Sequence, residues 1–158
     1  HKNRAGIRAD EIAVALEKNS NVTTLNLRGT LKNKVRIAVA METNSTVTTF
    51  NLRGNGIDSH GAEQIAVALE KNSAVTILDL AHGAEQIAVA LERSGTCTVS
   101  GLNLYNNSTG AQGAERIAVA VEKSRTVTQL DLGSNATGTP GTERIAGALS
   151  RHSNCGTA

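Results

Sequence analysis

The string Ile-Ala-Val-Ala starts at Ile12, Ile37, Ile65, Ile87 and Ile117 and returns as Ile-Ala-Gly-Ala at Ile145. No other feature constrains the fold as strongly, because a unit this short cannot bury an apolar face alone and must stack on its own copies. Between the strings lies a second motif, apolar-x-Leu, at Leu25/Leu27, Phe50/Leu52, Leu78/Leu80, Leu102/Leu104 and Leu130/Leu132. From Leu27 the second leucine recurs after 25, 28, 24 and 28 residues, so the full unit is 28 residues and two units are short. The losses fall between leucine and isoleucine. That gap is 13 residues from Leu52 to Ile65, Leu104 to Ile117 and Leu132 to Ile145, but 10 from Leu27 to Ile37 and 7 from Leu80 to Ile87.

The two motifs carry different periods. Each apolar-x-Leu site alternates apolar and polar residues, which predicts a short strand with one buried side. In the stretch Gly61 to Asn72, residues Ala62, Ile65, Ala66 and Leu69 share one helical face, with Glu63, Gln64, Glu70 and Lys71 opposite. The recurrent alanines point to helices packed too closely for bulky side chains. Thr139-Pro140 is expected to supply an N-cap and a first-turn proline, and Gly61, Gly83, Gly113 and Gly141 to let the backbone turn closely at helix starts. Structural doubt concentrates in the shortened connections, residues 28–36 and 80–101. Lys34 and Val35 also break the pattern of the second helix.

Other classes find little support. The chain has 158 residues, and its 16 Lys and Arg against 14 Asp and Glu give +2, too small a field to draw it to nucleic acid or membrane. Phe50 and Tyr105 are the aromatic residues, without Trp, so base-stacking platforms are lacking. Cys97 and Cys155 fit no metal-ligand or CxxC spacing and read as free thiols in a reducing compartment. The expectation is a cytoplasmic protein with no cofactor and no metal. His60 and His82 precede helix-opening glycines as solvated turn residues, and His1 and His152 lie near the ends. No nucleophile with its base, carboxylate pair or Gly-Lys-Ser/Thr phosphate loop is signalled, so no catalytic residue is assigned. Asn21-Val-Thr23 and Asn44-Ser-Thr46 are read as incidental sequons in a chain rich in these residues.

The stretch Leu52-Arg-Gly-Asn-Gly-Ile-Asp-Ser-His-Gly-Ala-Glu-Gln-Ile-Ala-Val-Ala-Leu69 resembles the long leucine-rich repeat of ribonuclease inhibitor and of the intracellular NLR receptors. The resemblance implies an α/β leucine-rich-repeat solenoid, a short horseshoe arc with parallel strands on the concave face and helices on the convex face. Residues 1–158 would form a single domain, a leading helix followed by five strand-helix units, as a piece of a longer array. It also implies an asparagine ladder three residues after the strand leucine. Asn55, Asn107 and Asn135 occupy that place, Thr30 replaces it in the first unit, and the unit after Leu80 has no equivalent. An orphaned buried turn group would cost about 1–3 kcal/mol, so the 80–83 connection is an expected weak point.

Function is sought on the inward strand positions, since period two turns alternate residues away from the core. Three columns result: Thr24, Thr49, Ile77, Gly101 and Gln129; Asn26, Asn51, Asp79, Asn103 and Asp131; Arg28, Arg53, Ala81, Tyr105 and Gly133. With strands roughly 4.8 Å apart, Arg28 and Arg53 are expected side by side, repelling unless an anion sits between them. Asp79 and Asp131 lie further along, and Tyr105 is a candidate anchor. The resulting expectation is a protein-protein interaction module without catalysis. Its partner would be a protein of open identity, contacted through Arg28, Arg53, Asn26, Asn51, Asp79, Asn103, Tyr105 and Asp131. The same resemblance implies two alternatives, a GTPase-activating regulator of the Ran type and the ligand-sensing region of an NLR-like receptor. The helix charges, with Glu17, Glu42, Glu70, Glu92 and Glu122 in one row beside Lys18, Lys71, Arg93 and Lys123, read as a solvated face balanced from unit to unit.

Overall fold

The computed structural model describes residues 7–32, 35–94 and 97–153. His1, Lys34 and Cys155 lie outside the described residues, as does the side chain of His152. Each apolar-x-Leu site is a three-residue strand: β2 (Thr24–Asn26), β4 (Thr49–Asn51), β5 (Ile77–Asp79), β6 (Gly101–Asn103) and β7 (Gln129–Asp131). They form one parallel sheet in chain order. Six helices alternate with them: α1 (Ala9–Lys18), α2 (Val35–Thr43), α3 (Ser59–Lys71), α4 (Ala84–Arg93), α5 (Gly110–Ser124) and α6 (Gly138–Ser153). The leading helix and five strand-helix units are therefore present. A short parallel pair, β1 (Ile7–Arg8) with β3 (Leu31–Lys32), was not anticipated, and it gives part of the doubted 28–36 connection a regular structure.

The core lies between sheet and helices. It takes Leu27, Leu52, Leu80 and Leu104 from just beyond the strands, Phe50, Leu78 and Leu102 from within them, and the isoleucine and alanines of each repeated helical string. In α3 the buried side chains are Ala62, Ile65, Ala66, Ala68 and Leu69, the predicted face plus one alanine. The alanines serve helix-to-helix approach as well as helix-to-sheet packing. A Cβ placed on Gly83 would stand 2.2 Å from Ala62 Cβ, and one on Gly141 would stand 2.8 Å from Ala114 Cβ. Each pair is a glycine at the start of one helix pressed on an alanine of the helix before it.

Helix starts differ from expectation. Asp58 caps α3, its carboxylate accepting from the Gly61 amide at 2.8 Å, so the helix opens at Ser59 and not at Gly61. Likewise α6 opens at Gly138, which places Thr139 and Pro140 inside its first turn and not at its cap. α5 opens at Gly110, ahead of Gly113.

The asparagine ladder forms. Asn55 Nδ2 donates to Leu27 O and Leu52 O, both at 2.9 Å, while its Oδ1 accepts from Leu31 N. Asn135 Nδ2 reaches Leu104 O and Leu132 O, and its Oδ1 accepts from Asn107 N at 2.7 Å. Thr30 keeps one rung by donating to Leu27 O. At the shortened third turn the outcome differs from the expected orphan. Leu80 O is satisfied by Asn107 Nδ2, but buried Asn107 Oδ1 has no hydrogen-bond partner. Its donor would come from the preceding turn, and that turn has already become helix at Ala84.

A second ladder joins the helix end of one unit to that of the unit before it. Asn44 Nδ2 donates to Leu16 O and Asn72 Nδ2 to Asn44 O, while each Oδ1 accepts two amides of its own turn. Asn44 is thereby buried and engaged, which leaves its sequon inaccessible in this fold.

Candidate interaction face

The register sets the predicted columns side by side. Thr24, Thr49, Ile77, Gly101 and Gln129 pair in one line, and Asn26, Asn51, Asp79, Asn103 and Asp131 in another. In the second line most residues have a local task. Asn26, Asn51, Asn103 and Asp131 each accept, through Oδ1, the amide two residues on, at 2.9–3.2 Å. This turns the chain out of the strand and leaves each side chain one further polar atom for a partner. Asp79 is the exception. Its Oδ1 takes no hydrogen bond and faces Arg53 Nε at 3.5 Å. Burial pushes the Asp79 pKa up, Arg53 and Arg28 oppose that, and Asp131 reinforces it.

The two arginines do not form the expected open pair. Arg53 is half-buried, reaching toward Asp79 and placing its guanidinium 5.0 Å from the centroid of the Tyr105 ring. Arg28 stays exposed at the β2 end. Tyr105, 39% exposed, lies along Gly133, where an added Cβ would come within 2.8 Å of its ring. The missing side chain at Gly133 thus leaves room for the Tyr105 ring. Sequence columns do not disclose this, because they carry no information on side-chain reach.

The face consequently mixes charged, polar and apolar groups along its length. Arg28 marks one end, Arg53, Asp79 and Tyr105 form a joined group in the middle, and exposed Asp131 marks the other end with no ion-pair partner among the described residues. A depression of about 280 Å³ lies over the β5 to β7 half, lined by Ile77, Gly101, Asn103, Gln129 and Asp131 and the backbone leucines.

The helix face is arranged otherwise. Acids of one helix pair with bases of the next: Asp10 with Arg36, Glu42 with Lys71, Glu92 with Lys123, Glu115 with Arg144, and Glu122 with Arg151. This is the balance expected from the charge pattern, and exposed pairs of this kind are worth about 0–1 kcal/mol each. Among the described residues no three His, Cys, Asp or Glu side chains converge on a metal position, and no helix is long and apolar enough to cross a membrane. His60 is an exposed residue of the first turn of α3, 4.0 Å from Glu63. Cys97 is a buried free thiol whose pKa is pushed up by burial, opposite to what a reactive thiolate needs.

A family model described as Leucine Rich repeat matches residues 43–66, one turn of this architecture. The fold is a leucine-rich-repeat solenoid. Two solved structures share it along nearly their whole length. Leiomodin-1 Actin-Binding Site 2 is 25% identical at a TM-score of 0.77, with 92% of this chain and 90% of that one covered. The tropomodulin C-terminal domain of Caenorhabditis elegans is 13% identical at a TM-score of 0.75, with 93% and 94% covered. No curated protein matches the chain in sequence. None of the three similarities is described as an enzyme. This leucine-rich-repeat chain thus shares its fold with a domain described as an actin-binding site.

Proposed function

We propose that this leucine-rich-repeat chain is a protein-interaction module that engages its partner through the concave strand face. The supporting observation is its near full-length likeness to an actin-binding domain, that of leiomodin-1, combined with a strand face whose side chains differ in chemistry from unit to unit. The likeness makes actin the first partner to test. On this face Arg28, Tyr105 and Asp131 are the exposed contacts, Asn26, Asn51 and Asn103 offer amides, and Arg53 with Asp79 holds Tyr105 in place. The repeat type is that of ribonuclease inhibitor and NLR receptors, and the expected setting is the cytoplasm. A GTPase-activating role on a Ran-type GTPase would appear as faster phosphate release, and an NLR-like receptor as a nucleotide-binding domain in the same gene.

The test is a titration of purified monomeric actin onto the labelled chain. Saturable binding weakened by Arg28→Glu or Tyr105→Ala, and unchanged by Val39→Lys on exposed α2, is the expected result; Val39 is 47% exposed on the helix face. Absence of binding removes actin. Binding abolished by Val39→Lys but indifferent to Arg28 and Tyr105 overturns the concave-face reading.

A further inference from the structure

We infer that the depression over β5 to β7 receives a lysine or arginine side chain of the protein partner, its cation at Asp131 and its aliphatic stem on Ile77. The inference rests on the concave-face reading and names the chemistry that this half of the face recognises.

Three observations combine. First, the depression exists because the first column changes from a long side chain to none. Gly101 sits between Ile77 and Gln129, where an added Cβ would be 3.4 Å from Ile77 Cγ1 and 3.7 Å from Gln129 Oε1. Its walls are therefore one aliphatic side chain, 43% exposed, and one carbonyl acceptor. An aliphatic stem gains from covering the first, and an N–H donor from reaching the second.

Second, charge on the face is unevenly consumed. Arg53 is committed to Asp79 and to the Tyr105 ring, whereas Asp131 is exposed and has no cation beside it among the described residues. Only its Oδ1 is used, by Gly133 N. Asp131 also acts repulsively on Asp79 two strands away, an interaction that a cation seated between the two would relieve. Third, the Tyr105 ring and the Asp131 carboxylate border the same point above Gly133. A Cβ there would be 2.8 Å from Tyr105 Cδ2 and 3.3 Å from Asp131 Oδ1. Arg53 already takes the Tyr105 ring, so what draws a cation to this point is the Asp131 carboxylate, whose second oxygen is unused. An acidic side chain would meet repulsion, and a purely apolar one would leave Asp131 desolvated without a partner.

The repeats supply their own conservative variants. Asp131→Asn installs the residue that stands in this column at Asn26, Asn51 and Asn103, where its Oδ1 makes the same turn bond. Ile77→Thr installs the residue found at Thr24 and Thr49 in the same column. Both are expected to leave the fold unchanged, which a thermal melt verifies. Acetyl-lysine-methylamide and acetyl-arginine-methylamide are titrated into the isotope-labelled full chain, with acetyl-norleucine-methylamide as the uncharged control of equal stem. The amide signals of Gly101, Asn103 and Asp131 are followed by NMR.

The basic probes are expected to shift these amides saturably and to bind about two- to fivefold more tightly than norleucine, the range of an exposed ion pair. Asp131→Asn should erase that difference, and Ile77→Thr should weaken all three probes alike. Equal affinity of norleucine and lysine for the unmodified chain overturns the inference, as does an undiminished preference in Asp131→Asn. If the probes fail while partner binding still depends on Tyr105, only the basic side chain is rejected. If Tyr105→Ala and Arg28→Glu leave partner binding intact, the face itself is rejected.

Discussion

The strand-to-helix turn after Leu52 and the one after Leu80 begin from equivalent strands and deliver equivalent helices, yet they are held by different means. The longer turn distributes its needs among several side chains. Asn55 joins neighbouring turns, Ile57 is buried beneath the helix start, and Asp58 caps α3. The shorter turn has room for none of these. It reaches α4 through His82 at φ 75 and Gly83 at φ 94, and Gly83 takes the cap position without a side-chain bond. The lesson is that a repeat survives deletion by exchanging hydrogen bonds for backbone geometry, which concentrates its tolerance in one residue.

The largest expected effect follows directly. Gly83→Ala must place a Cβ at positive φ and within 2.2 Å of Ala62 Cβ, on a backbone fixed at both ends, and should cost about 3 kcal/mol or more. Gly54→Ala in the long turn meets positive φ as well, but its nearest atoms lie at 3.7 Å, so about 1 kcal/mol is expected. Urea unfolding of the two variants measures the contrast, and equal losses would break the comparison.

A smaller difference separates two rungs of the asparagine ladder. Asn135 uses both ends of its amide, donating to Leu104 O and Leu132 O and accepting from Asn107 N. Asn107 donates to Leu80 O and Leu104 O but its Oδ1 accepts nothing, because the short turn lacks the amide that would supply it. Asn135→Ala should therefore cost about 3 kcal/mol and Asn107→Ala about 2 kcal/mol, since the second removes no accepted bond. The order of the two urea midpoints is the measurement. A reversed order would mean that the missing turn amide has no energetic consequence.

How much of this was legible beforehand depends on how local the cause is. The sheet columns followed from period two and the leucine spacing, and the register reproduces the two that lie within the strands. The ladder positions at Asn55, Asn107 and Asn135 followed from the repeat resemblance. The second ladder has its signal in the recurring Asn-Ser-x-Val at Asn44 and Asn72, which at Asn44 coincides with a sequon. The Arg53, Asp79 and Tyr105 group had no signal in one dimension. It depends on how far Arg53 reaches across the sheet, and on Asp79 lacking the amide bond that its column mates accept. The alignment of these residues along the sheet was thus readable, whereas the pairing that decides which charges remain free was not.

That last dependence yields the subtlest expected effect. Asp79 is the column residue whose pKa is raised, with burial as the leading cause. The folded state therefore holds this proton more tightly than the unfolded chain, whose value is near 3.8. The sign follows: any stability attached to Asp79 is full below that value and is lost as pH rises through the folded-state pKa. Asp79→Asn should accordingly gain on the unmodified chain as pH rises from just below 4. Melting temperatures of the two proteins across this pH range decide the matter. If Asp79→Asn instead falls further behind with rising pH, its ion pair with Arg53 outweighs burial, and the short turn has created a stabilising contact where the long turns have only a local hydrogen bond.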